Sequence, residues 1–383
     1  MKKVYFQGLN EIRAIAALLV VFHHTEQYKS LHGYTSLYDT FLYDHIDRLG
    51  NDAVYIFFVL SGFLITFLLL QERAYFDKIN LKKFYLRRVF RILPLYYLIV
   101  FLSFCILPFL ANKFDCFQQE HYYYNQIVEF QKDPYPTLLL FILLLPNVAY
   151  LKFPAVVGAV QAWSIGVEEQ FYLIWPIAMN KLRTKLPFLL FIGFIAITPV
   201  IPALLNQFST KLAINCYTLL KYFPISYMAY GALGAFLLYY YETTILKICC
   251  NPILFVANTL FFIYLLFMDI SFEYRNELLS LVIMFEILFI IQENFTFNLR
   301  SKILNKLGRI SYGIYMYHTS IIFIIYATLQ HGLISLNLSQ NPVLAQFIIL
   351  GVTVFVSYLS YDYFEHRFVR FKNERFNVFK SNK

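Results

Sequence analysis

An arginine and a histidine pair bracket the first apolar stretch, Leu9-Asn-Glu-Ile-Arg-Ala-Ile-Ala-Ala-Leu-Leu-Val-Val-Phe-His-His24. On an α-helix, the step from Arg13 to His24 returns to within about 20° of the same face. It rises about 16 Å, or half the thickness of a bilayer core. The uninterrupted apolar part, Ala14 to Phe22, is too short to cross a membrane alone. A spanning helix here must therefore hold ionisable groups at membrane depth, facing protein. Such groups cost several kcal/mol to bury and are functional candidates by default. An imidazole so placed offers a base or a nucleophile.

Four further clusters carry chemistry. Lys82-Lys83-Phe-Tyr-Leu-Arg-Arg-Val-Phe-Arg91 sets Arg88 and Arg91 three apart on one helix face. Their guanidinium forks suit the phosphates of a donor, and equally an anchor against anionic lipid. Trp163-Ser164-Ile-Gly-Val-Glu168-Glu169 puts adjacent acids at the mouth of an apolar run, where they either face a cavity or snorkel at the interface. In the topology below, Glu168 enters from the side that His24 reaches from the opposite direction. A carboxylate and a histidine are thus expected at similar depth, as a base and its orienting partner would be. Ser311-Tyr312-Gly-Ile-Tyr315-Met-Tyr-His318 places a histidine about 15 Å into its helix, with tyrosines that pack or support. In Ser61-Gly62, the glycine is a small-residue notch for a neighbouring helix; no local base serves Ser61.

The elements that position these groups follow from composition. The 383 residues are 59% hydrophobic and 14% charged, with 20% aromatic side chains and a mean hydropathy of +0.57. Soluble domains carry about 25% charged residues, so the expected fold is all-α, a polytopic membrane bundle. Spans are expected near 9–25, 53–70, 89–110, 161–180, 187–205, 222–241, 253–268, 277–294, 308–330 and 343–363. A short run with Pro146-Asn147, residues 137–151, reads as re-entrant. Ten spans with both termini cytoplasmic put 24 of the 32 lysines and arginines inside and 8 outside, the bias that cytoplasmic loops show. A spanning 137–151 would reverse every later loop. The net charge of +9 is thereby a matter of membrane orientation, not of nucleic-acid binding. The five cysteines show no metal-ligand spacing, and no metal is expected. Lys2 and Lys3 resemble a signal peptide, but no small-residue cleavage site follows, so the first helix is expected to be retained. The 26–52 loop and the Tyr-rich 111–136 loop are external in this topology, and residues 1–383 read as a single membrane domain with a basic cytoplasmic tail, 364–383.

Taken together the clusters resemble the membrane acyltransferase-3 family, which O-acylates sugars and other acceptors. The matching pieces are Arg13…His24, Phe57-Phe58-Val-Leu-Ser-Gly-Phe-Leu-Ile65, Arg88-Val-Phe-Arg91, Trp163-Ser164-Ile-Gly-Val-Glu168, Ser311-Tyr312-Gly-Ile-Tyr315…His318 and Glu365-His-Arg367. Six in order cover essentially the whole chain. Departures are Glu11 and Ala14 where glycine is frequent, Ile165 for leucine, and Arg367 for the usual proline. The resemblance implies a multi-pass O-acyltransferase of the cytoplasmic (inner) membrane. Its donor would be acetyl-CoA or a related acyl-CoA, and its acceptor a hydroxyl of a glycan or glycolipid. His24, Glu168 and Arg13 would be catalytic and Arg88 and Arg91 would bind the donor, with Trp163, Ser164, Tyr312, Tyr315 and His318 in support. No esterase-like extension of the kind frequent in the family is seen, so the membrane domain is expected to complete the transfer. The alternatives are a transporter or flippase with Arg13, Glu168 and His318 as an intramembrane relay, and a ligase or polymerase using a lipid-linked sugar.

Overall fold

The computed structural model describes residues 6–198, 201, 223–267, 274–292, 301–332 and 336–376. Among these residues the chain is helical throughout, with no strand, as backbone surrounded by lipid requires. The elements used below are α1 (Leu9–Leu31), α2 (Tyr43–Phe76), α3 (Leu81–Phe101), α4 (Tyr135–Ile142), α5 (Pro146–Lys152), α6 (Ala162–Lys181), α7 (Ser226–Tyr240), α8 (Pro252–Phe267), α9 (Arg275–Ile290), α10 (Ser311–Gln330), α11 (Pro342–Ser360) and α12 (His366–Phe376). Four helical stretches are long and apolar enough to cross a membrane: Tyr43–Phe76, Leu81–Lys113, Ser311–Gln330 and Pro342–Phe376. Glu242–Cys249 with Pro252–Phe267, bent by 76°, makes a fifth when counted as one broken span. The expected spans 187–205, 222–241, 253–268 and 277–294 each reach into segments outside the described residues.

α1 is long enough to span but carries buried Glu11, His23, Glu26 and Lys29. It is tolerated because protein, not lipid, surrounds it: α2, α10, α11 and Lys302–Arg309 all pack on it. α11 is the opposite case, with Val343, Phe347, Phe355 and Tyr358 exposed as on a lipid-facing helix. Asp77, in the left-handed region at φ 56°, ends α2. Asn80 then caps α3 by accepting from the Lys83 amide. This tight turn lays the first turns of α3 beside the last of α2. The Gly62 notch is reciprocal. A Cβ at Gly62 would stand 2.0 Å from the Met228 carbonyl oxygen, and one at Gly231 would stand 1.9 Å from that of Val59. The α2 and α7 backbones therefore touch where neither tolerates a side chain.

The 137–151 run is two short helices, α4 and α5, broken at Leu144 with φ 61°. The chain next passes Gly158 (φ 85°), where a Cβ would meet Leu107, Ser320 and Ser103 within 2.8 Å. Gln161 then locks α6 to α10, donating to the Met316 carbonyl at 2.6 Å and accepting from Thr319 at 2.7 Å. The start of α6 is thus level with residues 316–319, about 16 Å short of the far end of α10.

That far end is closed by a polar clasp. Glu120, fully buried, accepts from Tyr28 at 2.5 Å and Tyr34 at 3.2 Å. His32 and His331 approach it at 3.3 and 3.1 Å. Burial pushes the Glu120 carboxyl up to about 7 and the His32 imidazole down to about 4. The His32 Nδ1 hydrogen bonds the Tyr28 carbonyl, so in the neutral ring its Nε2 lone pair faces Glu120. A raised carboxyl pKa stabilises the fold fully below the unfolded value of about 4.5 and loses that contribution as pH rises through about 7. Relative to Glu120→Gln, which mimics the protonated acid at every pH, wild type is expected to lose about 3 kcal/mol between pH 4.5 and 8. Melting temperatures of both proteins in detergent across that range check this; curves that stay parallel would refute it.

Candidate active site

A cavity of about 300 Å³ lies between α1, α2, α3, α6, α10 and α12. It is lined along α2 from Val54 to Leu68, about 21 Å of helix. Four cations line it: Arg13 of α1, Arg88 and Arg91 of α3, and Lys372 of α12. Neither Arg13 nor Arg91 makes a hydrogen bond or ion pair among the described residues. Arg88 lies 5.3 Å from the Tyr172 ring and 5.8 Å from the Phe84 ring, and its buried Nε has no partner. Glu168 is the acid of the lining. It accepts from Ser61 at 3.0 Å and from Tyr172 at 2.8 Å, with Arg13 and Arg88 in electrostatic reach. Unpaired guanidiniums in a partly enclosed cavity favour a multiply charged anion, because their attraction for it is weakly screened there.

The histidines stand above the cavity. His24 Nδ1 is 3.0 Å from the Val20 carbonyl oxygen. A carbonyl only accepts, so in the neutral ring Nδ1 carries the hydrogen and Nε2 keeps its lone pair. His318 repeats this arrangement, with Nδ1 2.7 Å from the Tyr315 carbonyl and a buried Nε2 without a partner. The two rings meet edge to face at 4.9 Å. His23 is held differently: its Nδ1 bonds the Ile46 carbonyl at 2.7 Å. A Cβ at Gly50 would stand 2.6 Å from its Nε2, so that ring is packed against α2.

Between cavity and histidines lies a roof. The Phe57 and Tyr315 rings meet at 5.7 Å. The Tyr315 hydroxyl lies 2.7 Å from Ser164 Oγ and donates to the Gln161 carbonyl at 3.1 Å. His318 follows Tyr315 by one helical turn, so the cavity closes one turn short of the imidazole pair.

A family model described as an acyltransferase domain (Acyl_transf_3) matches residues 6–362. The chain belongs to the acyltransferase-3 family. It is 28% identical over 183 residues to the O-acetyltransferase OatA of Staphylococcus aureus strain COL, covering 46% of this chain and 25% of that protein. It is 25% identical over 384 residues to a putative O-acetyltransferase of the same strain, covering 96% of this chain and 58% of that protein. The chain thus spans from a quarter to rather more than half of the length of these relatives. No solved structure matches it.

Five of the acyltransferase-3 motif segments converge on the cavity and its roof: those holding Arg13, Ser61, Arg88 and Arg91, Ser164 and Glu168, and Tyr312 and Tyr315. His24 and His318 lie above them. Trp163 packs its ring against Phe58 at 6.0 Å, and Tyr312 donates to the Ile92 carbonyl at 3.0 Å. Glu365, from the terminal motif, is buried and accepts from Ser360 at 3.3 Å. The expected depth match of Glu168 with His24 is not found. Its partners are Ser61 and Tyr172, and His24 is not among them. The physical reason is the recessed start of α6, which sets Glu168 one to two turns below Ser164 and the roof. Tyr172 was missed by the sequence analysis; the signal that could have found it is its i+4 spacing from Glu168. The Ser61–Glu168 bond joins residues 107 apart, and no local pattern announces it.

Proposed function

We propose that the protein is a multi-pass membrane O-acyltransferase. In this reading it takes an acyl group, acetyl by analogy with its relatives' names, from acyl-CoA on the cytoplasmic side. It passes that group to a hydroxyl of a cell-surface or membrane-linked glycan. The observation that carries the reading is the cationic cavity that ends one turn beneath two imidazoles with free Nε2 atoms. The positive-inside bias puts its Arg88 end and both termini in the cytoplasm, with ten spans in all. Phosphates of the donor then meet Arg88, Arg91 and Arg13. The thioester arm points along α2 toward the roof, and parting of Phe57 and Tyr315 admits it to His24. There the acceptor oxygen attacks the thioester carbonyl as His24 Nε2 takes the hydroxyl proton; the C–S bond breaks and the imidazolium returns the proton to the thiolate. His24 acting as acyl carrier would divide the same transfer into two steps. Glu168, held by Ser61 and Tyr172, balances the guanidiniums, and His318 fixes the His24 ring.

The test is transfer in inverted membrane vesicles given labelled acetyl-CoA. Label is expected in a glycan or lipid fraction. Vesicles that contain inserted protein and native glycan but consume no acetyl-CoA would move the assignment to a transporter. Arg88→Ala is expected to raise the apparent KM for acetyl-CoA about tenfold or more, the scale of one lost charge-assisted contact, with kcat little changed. An unaltered KM would return Arg88 to the role of lipid anchor.

A further inference from the structure

Resting on that reading, we propose that α12 is part of the donor site, with Lys372 a phosphate-binding residue that completes it. A basic tail at the membrane surface is ordinarily an electrostatic anchor, and its residues would then be interchangeable. The structure makes them unequal. Arg367, Arg370 and Arg375 are exposed, whereas Lys372 is half-buried and lines the cavity with Arg13, Arg88 and Arg91. Arg370 lies on the exposed side, where it pairs with Glu374 one turn away at 3.0 Å.

The helix is held in that orientation by its own contacts. Phe90 of α3 packs its ring on Phe371 at 4.9 Å and on Phe376 at 5.7 Å. Arg87, neighbour of Arg88, donates to the Phe376 carbonyl at 3.3 Å and pairs with Glu72 at 3.0 Å. Phe371 is adjacent to Lys372, so the docking of the aromatic ring on α3 also holds in place the residue that lines the cavity. α3 thus contributes two cations from its cavity face and, through Phe90, a third from the tail. Four cations lining one cavity suit a ligand bearing several phosphate charges, as a 3′-phosphorylated adenosine diphosphate does. Lys372 lies beyond residues 6–362, the part matched to the family model.

The experiment compares full-length wild type, Lys372→Gln, Lys372→Arg and Arg370→Gln. The measured quantities are the KM for acetyl-CoA, the KM for acetyl-pantetheine, which lacks phosphates, and equilibrium binding of CoA to detergent-solubilised protein. Lys372→Gln is expected to raise the KM and Kd for the CoA forms about tenfold, with kcat and the KM for acetyl-pantetheine unchanged. Lys372→Arg restores wild-type values, and Arg370→Gln does not depart from them. If Lys372→Gln binds and uses the CoA forms like wild type, or if both thioesters suffer equally, the tail is an anchor or a brace and the proposal is overturned. Failure of wild type itself to bind CoA or to consume acetyl-CoA overturns the acyltransferase reading, and the two failures are told apart by the wild-type arm.

Discussion

His24→Ala is expected to reduce acyl transfer by about 10²- to 10⁴-fold, the range over which a positioned base contributes, while the protein still inserts and folds. Its side chain bonds only its own helix, at the Val20 carbonyl, and otherwise meets His23 and His318 edge to face. Alanine leaves the helix intact and removes the one imidazole that combines a carbonyl-fixed tautomer with the face of α1 that leads up from Arg13. The comparison is initial rate per inserted molecule in the vesicle assay, with Arg13-lined donor binding measured separately through the Kd for CoA. A rate near zero with an unchanged Kd places His24 at the chemical step. Wild-type-like transfer by the variant would remove His24 from the reaction altogether.

The second large effect falls where no chemistry occurs. Gly62→Val is expected to cost several kcal/mol of stability and to lose the cavity with it. Its Cβ would stand 2.0 Å from the Met228 carbonyl oxygen, an overlap relieved only by separating α2 from α7. Between membrane helices, close backbone approach is itself a main source of affinity, so separation has no compensating gain. Ser61 is the preceding residue, and its bond to Glu168 fixes one wall of the cavity. Melting temperature and CoA binding should fall together, and Gly231→Val should do the same from the α7 side. A stable Gly62→Val protein with ordinary CoA affinity would show that the α2–α7 contact does not hold the site.

What the sequence by itself determined is that the chain is helical and membrane-embedded, that Arg13 and His24 share a face of one helix, and that Arg88 and Arg91 share a face of another. Each is a matter of local periodicity or of summed hydropathy, and no distant residue enters either. The glycine notch at Gly62 was legible for the same reason. What only the tertiary structure decided is which groups meet. Glu168 was expected level with His24 on the assumption that all helices start at the membrane surface. The Gly158 turn and the Gln161 lock instead begin α6 inside the bundle, which delivers Glu168 to Ser61 and the arginines and leaves His318 as the ring beside His24. The basic tail reads as a uniform charge run until Phe90, Phe371 and Phe376 orient it. Glu120 gave no signal at all, because a buried carboxylate is recognised by the tyrosines and histidines that surround it, and these come from two stretches of the chain, 28–34 and the end of α10, both far from it in sequence. Helical periodicity is set within a few residues, whereas the depth and partners of a buried charge depend on where every neighbouring helix begins.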